Sequence, residues 1–220
     1  MTILLHACSY LGLLLALTAC SNPPLNIVVQ PLGKAVVSAD IDMVKIGLEE
    51  FYGARVRVLP LVEEPKELDR GKINRYEAEG LLKFLNARKP PQADKILGIT
   101  WSDIYSPMPE KNAPYWRVFG LGEMPGTACV ISAKRVKRKA RNKLHARERL
   151  AKTAVHEIGH NLGLPHCPTR GCLMEDAKGK GSTTDREYVF CSQCRTALKR
   201  AKLKIPDEPR PPWSKPEASR

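Results

Sequence analysis

Three histidines, a glutamate and two cysteines fall within residues 154–172, in an order that reads as a metal site. His156 and His160 stand four apart, so on a helix they project from one face a turn apart and can grip a single ion. Glu157 lies between them in the sequence. Gly163 permits a positive φ, which stops the helix and turns the chain so that His166 returns as a third ligand. Three neutral imidazoles leave a fourth tetrahedral position for water, the arrangement of a catalytic zinc rather than a structural one. H-E-x-x-H alone can arise by accident on a surface helix. Gly163 and His166 at their spacings make that accident remote.

Behind the histidines the cysteines run Cys167-x4-Cys172 and then Cys191-x2-Cys194. Two close pairs of thiolates suit a closed, tetrahedral structural zinc. Two disulfides are the alternative, reasonable outside the cytoplasm, and the residues alone leave both open. Cys129, inside the apolar run 127–132, reads as a buried free thiol.

These residues need a scaffold, and 220 residues with 43% hydrophobic content suffice for one domain with a real core. Residues 25–30 are β-rich. A helix follows with Ile41, Val44, Leu48 and Phe51 at helical spacing, capped by Ser38 or Asp40 and ended at Gly53. Residues 55–59 alternate as a strand, 75–88 offer a second apolar helical face, and 95–100 form a third strand. This βαβαβ alternation predicts a mostly parallel sheet. Prolines 107, 109 and 114 mark a long loop, after which 115–120 and 127–132 lie too close for a helical crossover and should pair antiparallel. The active helix then runs to Gly163 with Leu144, Ala151, Ala154, Val155 and Ile158 as its buried stripe.

A formal charge of +13 favours anionic partners, and residues 134–152 hold ten Lys or Arg. A solvated basic face is the preferred reading over a nucleic-acid surface, because no interleaved aromatics offer bases a stacking platform. Residues 1–19 carry no Lys, Arg, Asp or Glu and suit a signal-peptide h-region. Leu17-Thr18-Ala19-Cys20 resembles a bacterial lipobox, with Cys20 as the lipidated residue. An ordinary secretory signal or an unusual cytosolic N-terminus are the alternatives. The expected organisation is a signal peptide at 1–19, a lipidated tether at 20–24, a catalytic domain at 25–205, and a disordered Pro-rich tail at 206–220.

Taken together, His156 through Cys167, Cys172 and Met174 to Cys191 and Cys194 resemble the archaemetzincins, a branch of the metzincin clan of zinc metallopeptidases. Sixteen residues separate Met174 from Cys191, slightly fewer than the family pattern, a small loop change that leaves the ligand residues intact. The resemblance covers about residues 25–200. It implies an α/β metzincin-like zincin domain: a twisted mixed sheet with an antiparallel edge strand above the cleft, an active-site helix, and a Met-turn placing Met174 beneath the catalytic zinc. By position, 115–121 would be the edge strand. It further implies two zinc ions per chain, one held by His156, His160 and His166 and one by Cys167, Cys172, Cys191 and Cys194. Glu157 would serve as general base in hydrolysis of a peptide or protein substrate. The expected protein is a monomer, anchored to a bacterial cell envelope through Cys20. A basic zinc-binding module, or a weakly active peptide-binding lipoprotein, are the rival readings.

Overall fold

The computed structural model describes residues 23–33, 37–71 and 73–215; the signal segment 1–19, Cys20 and the start of the tether lie outside them. In chain order the elements are β1 (Asn26–Leu32), α1 (Ser38–Tyr52), β2 (Arg55–Val58), β3 (Asp69–Arg70), β4 (Arg75–Glu77), α2 (Ala78–Arg88), β5 (Lys95–Thr100), β6 (Ile104–Met108), β7 (Ala113–Val118), β8 (Gly120–Gly122) and β9 (Ala128–Ser132). Among the described residues these are followed by α3 (Ala133–Val136), α4 (Lys143–Asn161), α5 (Gly181–Arg186) and α6 (Ser192–Arg200).

The main sheet has the order β2-β1-β5-β9-β8, parallel except for β8, which runs antiparallel to β9 at one edge. Alternation along the buried strands sends side chains to two cores. Ile27, Val29, Leu97, Ile99 and Ile131 meet α1 and α4 on one face, while Val28, Ile96, Ala128 and Val130 meet Leu81, Leu82 and Leu85 of α2 on the other. The expected parallel sheet and mixed α/β class are present.

Three local expectations are corrected. Residues 75–77 are a strand of a second, four-stranded sheet ordered β3-β4-β6-β7, so α2 begins only at Ala78. Part of the supposed Pro-rich loop is the β6–β7 hairpin of that sheet. Pro107 sits where the register shifts between Ser106 and Met108, and Pro114 lies on the edge strand β7, both places where a missing N–H is tolerated. Consequently 115–120 is not one strand paired to β9. The chain changes sheets near Phe119, and only the short β8 lies along β9.

Neither Ser38 nor Asp40 caps α1, whose N-cap is Val37. The buried Asp40 carboxylate instead accepts from Lys137 Nζ at 2.5 Å and lies 3.4 Å from Arg147 Nε. The basic stretch is therefore only partly solvated. Arg149 and Lys152 are buried outright: Asp185 takes Arg149 Nε and Nη2 at 2.6 and 2.8 Å, and Lys152 donates to the carbonyls of Thr184 and Asp185.

Of the tail 206–220 expected to be disordered, the part up to residue 214 is packed, and 216–220 lie outside the described residues. Trp213, 4% exposed, stacks on Phe51 at 5.0 Å, and its indole N–H donates to the Tyr188 carbonyl at 3.0 Å. Gly47 makes room for that ring, since a Cβ there would lie 3.2 Å from it. One aromatic thus gives an otherwise coil segment enough buried apolar area to offset its ordering entropy.

Candidate metal centres

Helix α4 carries the first two histidines, and the way it ends delivers the third. Its N-terminus is capped by the Asn142 side chain, which accepts from the His145 N–H at 2.9 Å. At the other end, Gly163 takes φ +89°. The Leu164 N–H donates to the Gly159 carbonyl at 2.9 Å and the Gly163 N–H to His160 at 2.8 Å, the paired bonds of a Schellman cap. His166 follows three residues later, and one ring nitrogen from each of His156, His160 and His166 lies within 4.8 Å of the other two.

The protonation pattern of the first two imidazoles follows from their neighbours. His156 Nδ1 is 2.7 Å from the Leu173 carbonyl and His160 Nδ1 is 2.7 Å from the Leu164 carbonyl. A carbonyl only accepts, so both protons sit on Nδ1 and both Nε2 atoms present bare lone pairs. Those two Nε2 atoms face each other at 3.0 Å. Burial and the adjacent His160 hold His156 down to about 3, so no extra proton fills that gap near neutrality. Two opposed lone pairs suit a cation between them, and tetrahedral zinc sets neighbouring nitrogens about 3.3 Å apart. The residues fit the metal.

Glu157 is 5% exposed, and burial alone lifts its carboxyl to about 8. It lies directly under β8. A Cβ on Gly120 would collide with the Glu157 carboxylate, and one on Gly122 would come within 2.9 Å of the Glu157 carbonyl. Gly120-Leu121-Gly122 therefore lets a strand backbone lie on the helix at its most reactive turn, a role that sequence reading missed. The G-x-G spacing was its available signal. Gly159, within H-E-x-x-H itself, was missed in the same way: a Cβ there would sit 2.5 Å from Met174 Sδ. The fully buried Met174 thus seats under the helix, and its carbonyl accepts from the Cys167 N–H at 2.7 Å.

Cys167, Cys172, Cys191 and Cys194 form the second cluster, all four Sγ atoms within 4.8 Å of one another. Cys167 Sγ lies 3.6 Å from Cys191 Sγ and Cys172 Sγ 3.7 Å from Cys194 Sγ, close to the roughly 3.8 Å edge of a tetrahedral zinc–thiolate site and far from a disulfide bond. Backbone N–H groups of Thr169 and Cys191 point at the Cys167 and Cys172 sulfurs, as they do toward thiolates. The Cys194 thiol beside it brings Cys172 down to about 5. The first metal cluster is open and the second closed: His166 is exposed, whereas three of the four cysteines are buried.

A cleft of about 370 Å³ runs over the histidines, between Trp116 to Gly122 on one rim and residues 176–179 on the other. Its far wall is held by α5, where Asp185 also accepts from His145 Nε2 at 2.6 Å. The Arg141 N–H occupies the other nitrogen of that ring.

Known proteins resemble this chain in sequence and in fold. The family model described as Peptidase family M54 matches residues 37–200. Among curated relatives, the archaemetzincin of Archaeoglobus fulgidus is 31% identical over 175 residues, 80% of this chain and 99% of that one. The archaemetzincin of Methanopyrus kandleri is 30% identical over 166 residues, 75% and 89% of the two chains. Its crystal structure superposes with a TM-score of 0.70 at 27% identity, covering 81% of this chain and 96% of that one. The Archaeoglobus fulgidus structure, complexed with malonate, gives 0.65 at 31% identity, covering 79% and 99%.

Proposed function

Because this chain belongs to peptidase family M54 and is a zinc metallopeptidase, we propose that His156, His160 and His166 hold its catalytic zinc and that Glu157 is its general base. The observation that carries this reading is the convergence of three imidazole nitrogens on one point of the cleft floor, two of them with their lone pairs opposed.

Bound there, zinc would polarise a scissile carbonyl and bring the pKa of a water to about 7. The remaining work falls to the chain. The carbonyls of Leu164 and Leu173 hold two imidazoles in the tautomer that can ligate. Glu157, raised by burial in the metal-free protein, is pulled back toward its carboxylate form by a neighbouring dication. It accepts the proton of the attacking water and returns it to the leaving amine. The free edge of β8 receives the substrate backbone by main-chain hydrogen bonds, giving binding with little sequence preference. Met174 supplies an apolar floor and no proton chemistry.

A second zinc, held by Cys167, Cys172, Cys191 and Cys194, fixes the segment after α4. The chain acts as a monomer on peptides or proteins, anchored at the bacterial envelope by lipid on Cys20. The support for the anchor is Leu17-Thr18-Ala19-Cys20 in the sequence. Intact mass of the membrane fraction, with Cys20→Ser as control, checks it; an unlipidated wild-type chain removes it. Metal analysis with peptide-library profiling tests the rest. Two zinc ions per chain are expected, with hydrolysis abolished by chelator and restored by zinc. One tightly held ion and no hydrolysis would instead favour a binding module.

A further inference from the structure

Beside the cleft lies a second depression of about 280 Å³, and it is cationic. Phe119 and Gly179 belong to both cavities, so the two adjoin end to end. Arg135, Arg138 and Lys139 line it. Its local charge is unbalanced. Arg75 and Arg117 both turn to the single carboxylate of Asp103, at 3.7 and 3.4 Å, and Arg135 lies in the field of that same carboxylate together with Arg75, Arg117 and Arg138. Three guanidinium groups thus share one carboxylate, and Arg138 adds a further like charge beside Arg135.

Hydrogen bonding is unbalanced too. Of the residues lining the depression, Arg135 has its Nε buried without a hydrogen-bond partner, while the Nε atoms of Arg75 and Arg117, outside that lining, meet Asp103 only at ion-pair distance. Buried donors of this kind are costly unless something completes them. Arg135 is already poised, its guanidinium 5.8 Å from the Phe119 ring centroid. Arg149, by contrast, lines the same depression but is neutralised by Asp185.

The position relative to the reaction follows from β8. Its Gly120 lies on the Glu157 carboxylate, and Phe119 is the residue before it. Antiparallel pairing is the more stable addition to a free strand edge. A peptide added that way runs opposite to β8, so past the scissile bond its C-terminal side continues over Phe119 toward Arg135.

We propose that the pocket of Arg135, Arg138 and Lys139 is a carboxylate-binding subsite for the part of the substrate C-terminal to the scissile bond. The recognised group is a carboxylate, from an Asp or Glu side chain or from a free C-terminus, held by charge-assisted bonds to guanidinium groups. The inference rests on the peptidase reading only for the direction of the substrate.

Two measurements separate them. The first is cleavage of one peptide series with Glu, Gln or Ala at each of the three positions after the scissile bond, each with a free or an amidated C-terminus. The second is anisotropy of the same peptides, N-terminally labelled, on the zinc-loaded Glu157→Gln protein. Wild type should favour the carboxylate-bearing member by about tenfold in kcat/KM and in affinity. Arg138→Ala, an exposed change that leaves folding intact, and Arg135→Ala should each remove most of that preference and change neutral peptides less than twofold. Lys83→Ala, on α2 across the sheet, should leave the preference whole. A preference carried by Glu but erased by Gln assigns the side chain; one erased by amidation assigns the C-terminus. Cleavage with no carboxylate preference, or a preference that survives both arginine changes, overturns the subsite and leaves the peptidase reading standing. Arginine-dependent binding without any cleavage overturns the peptidase reading and leaves the subsite. Equal binding of acidic and neutral peptides overturns the subsite whatever the cleavage result.

Discussion

The two clusters meet at the peptide bond between His166 and Cys167, and again where Leu173, next to Cys172, accepts from His156, yet they are built on opposite plans. The histidine cluster hangs from one helix and its Schellman turn, and opens into the cleft. The cysteine cluster joins segments far apart in sequence, through isolated bridges from Cys167 to Glu175 and from Cys172 to Val189 and through α6, and it is largely sealed. An open position is required for chemistry, whereas a closed one yields only folding energy. On the proposed reading, a metal at the cysteines serves stability and one at the histidines serves turnover, and that division can be broken from either side.

The largest effect is expected from the cysteine side. Cys194→Ser removes a ligand from a closed site whose metal contributes on the order of 10 kcal/mol to folding in small zinc domains. Metal analysis should show that ion lost, thermal unfolding should shift down steeply, and activity should fall because Cys167 holds His166 in place. A Cys194→Ser protein with unchanged melting, both metals and full activity would sever the proposed coupling. Brief chelation of wild type should do the reverse, removing the accessible histidine metal and activity while the fold persists.

Next comes Glu157→Gln, expected to lower kcat by about 10²–10⁴-fold with both metals retained. Unchanged turnover would remove Glu157 from the mechanism. The same substitution has a second consequence, visible after the histidine metal alone is stripped. Burial lifts Glu157 to about 8 from an ordinary 4.5, so between those values the folded state binds the extra proton. Stability therefore falls as pH rises through that window, and Glu157→Gln should flatten the fall. Melting curves from pH 4 to 9 check it: parallel profiles for the two stripped proteins would show that Glu157 carries no such penalty.

How much of this was legible in the sequence follows from what each feature depends on. His156, Glu157, His160, Gly163 and His166 are tied by local helical periodicity and one turn, so their spacing alone brings them together. Four cysteines in two pairs announce a cluster, but how the pairs meet depends on tertiary packing, which brings Cys167 to Cys191 and Cys172 to Cys194 across the two sequence pairs. The parallel sheet was readable from the βαβαβ order. The second sheet was not, because two- and three-residue strands such as β3 and β4 carry no period, and prolines at an edge and a bulge look like loop. Gly120, Gly122 and Gly159 matter for what approaches them from elsewhere in the chain, which spacing cannot reveal. The packing of Trp213 is not legible in the sequence because its partners, Phe51 and Tyr188, are distant along the chain.

That tail gives the next test. Trp213 stacks on Phe51 and bonds to the Tyr188 carbonyl, three residues before Cys191, so it buttresses the cysteine segment without touching a metal. Trp213→Ala should cost about 3–5 kcal/mol, the range for deleting a large buried aromatic. Both metals should remain at saturating zinc. If the cysteine metal is lost at a temperature where the fold persists, the tail is part of that site's support, and the boundary of the closed cluster moves outward to residue 213.

The smallest expected effect sharpens the comparison most. Gly163 holds φ +89° with nothing within 4 Å of where a Cβ would stand, so Gly163→Ala meets only conformational cost, about 1 kcal/mol. That strain falls between His160 and His166, inside the histidine cluster, while Cys167 is separately tied by its N–H to the Met174 carbonyl. Zinc affinity at the histidine site should drop about fivefold, the factor that 1 kcal/mol sets, with the cysteine site unmoved. Competition with a chromogenic chelator resolves the two ions by their release. Equal weakening of both would mean that the His166–Cys167 bond transmits strain freely, and that the two clusters behave as one.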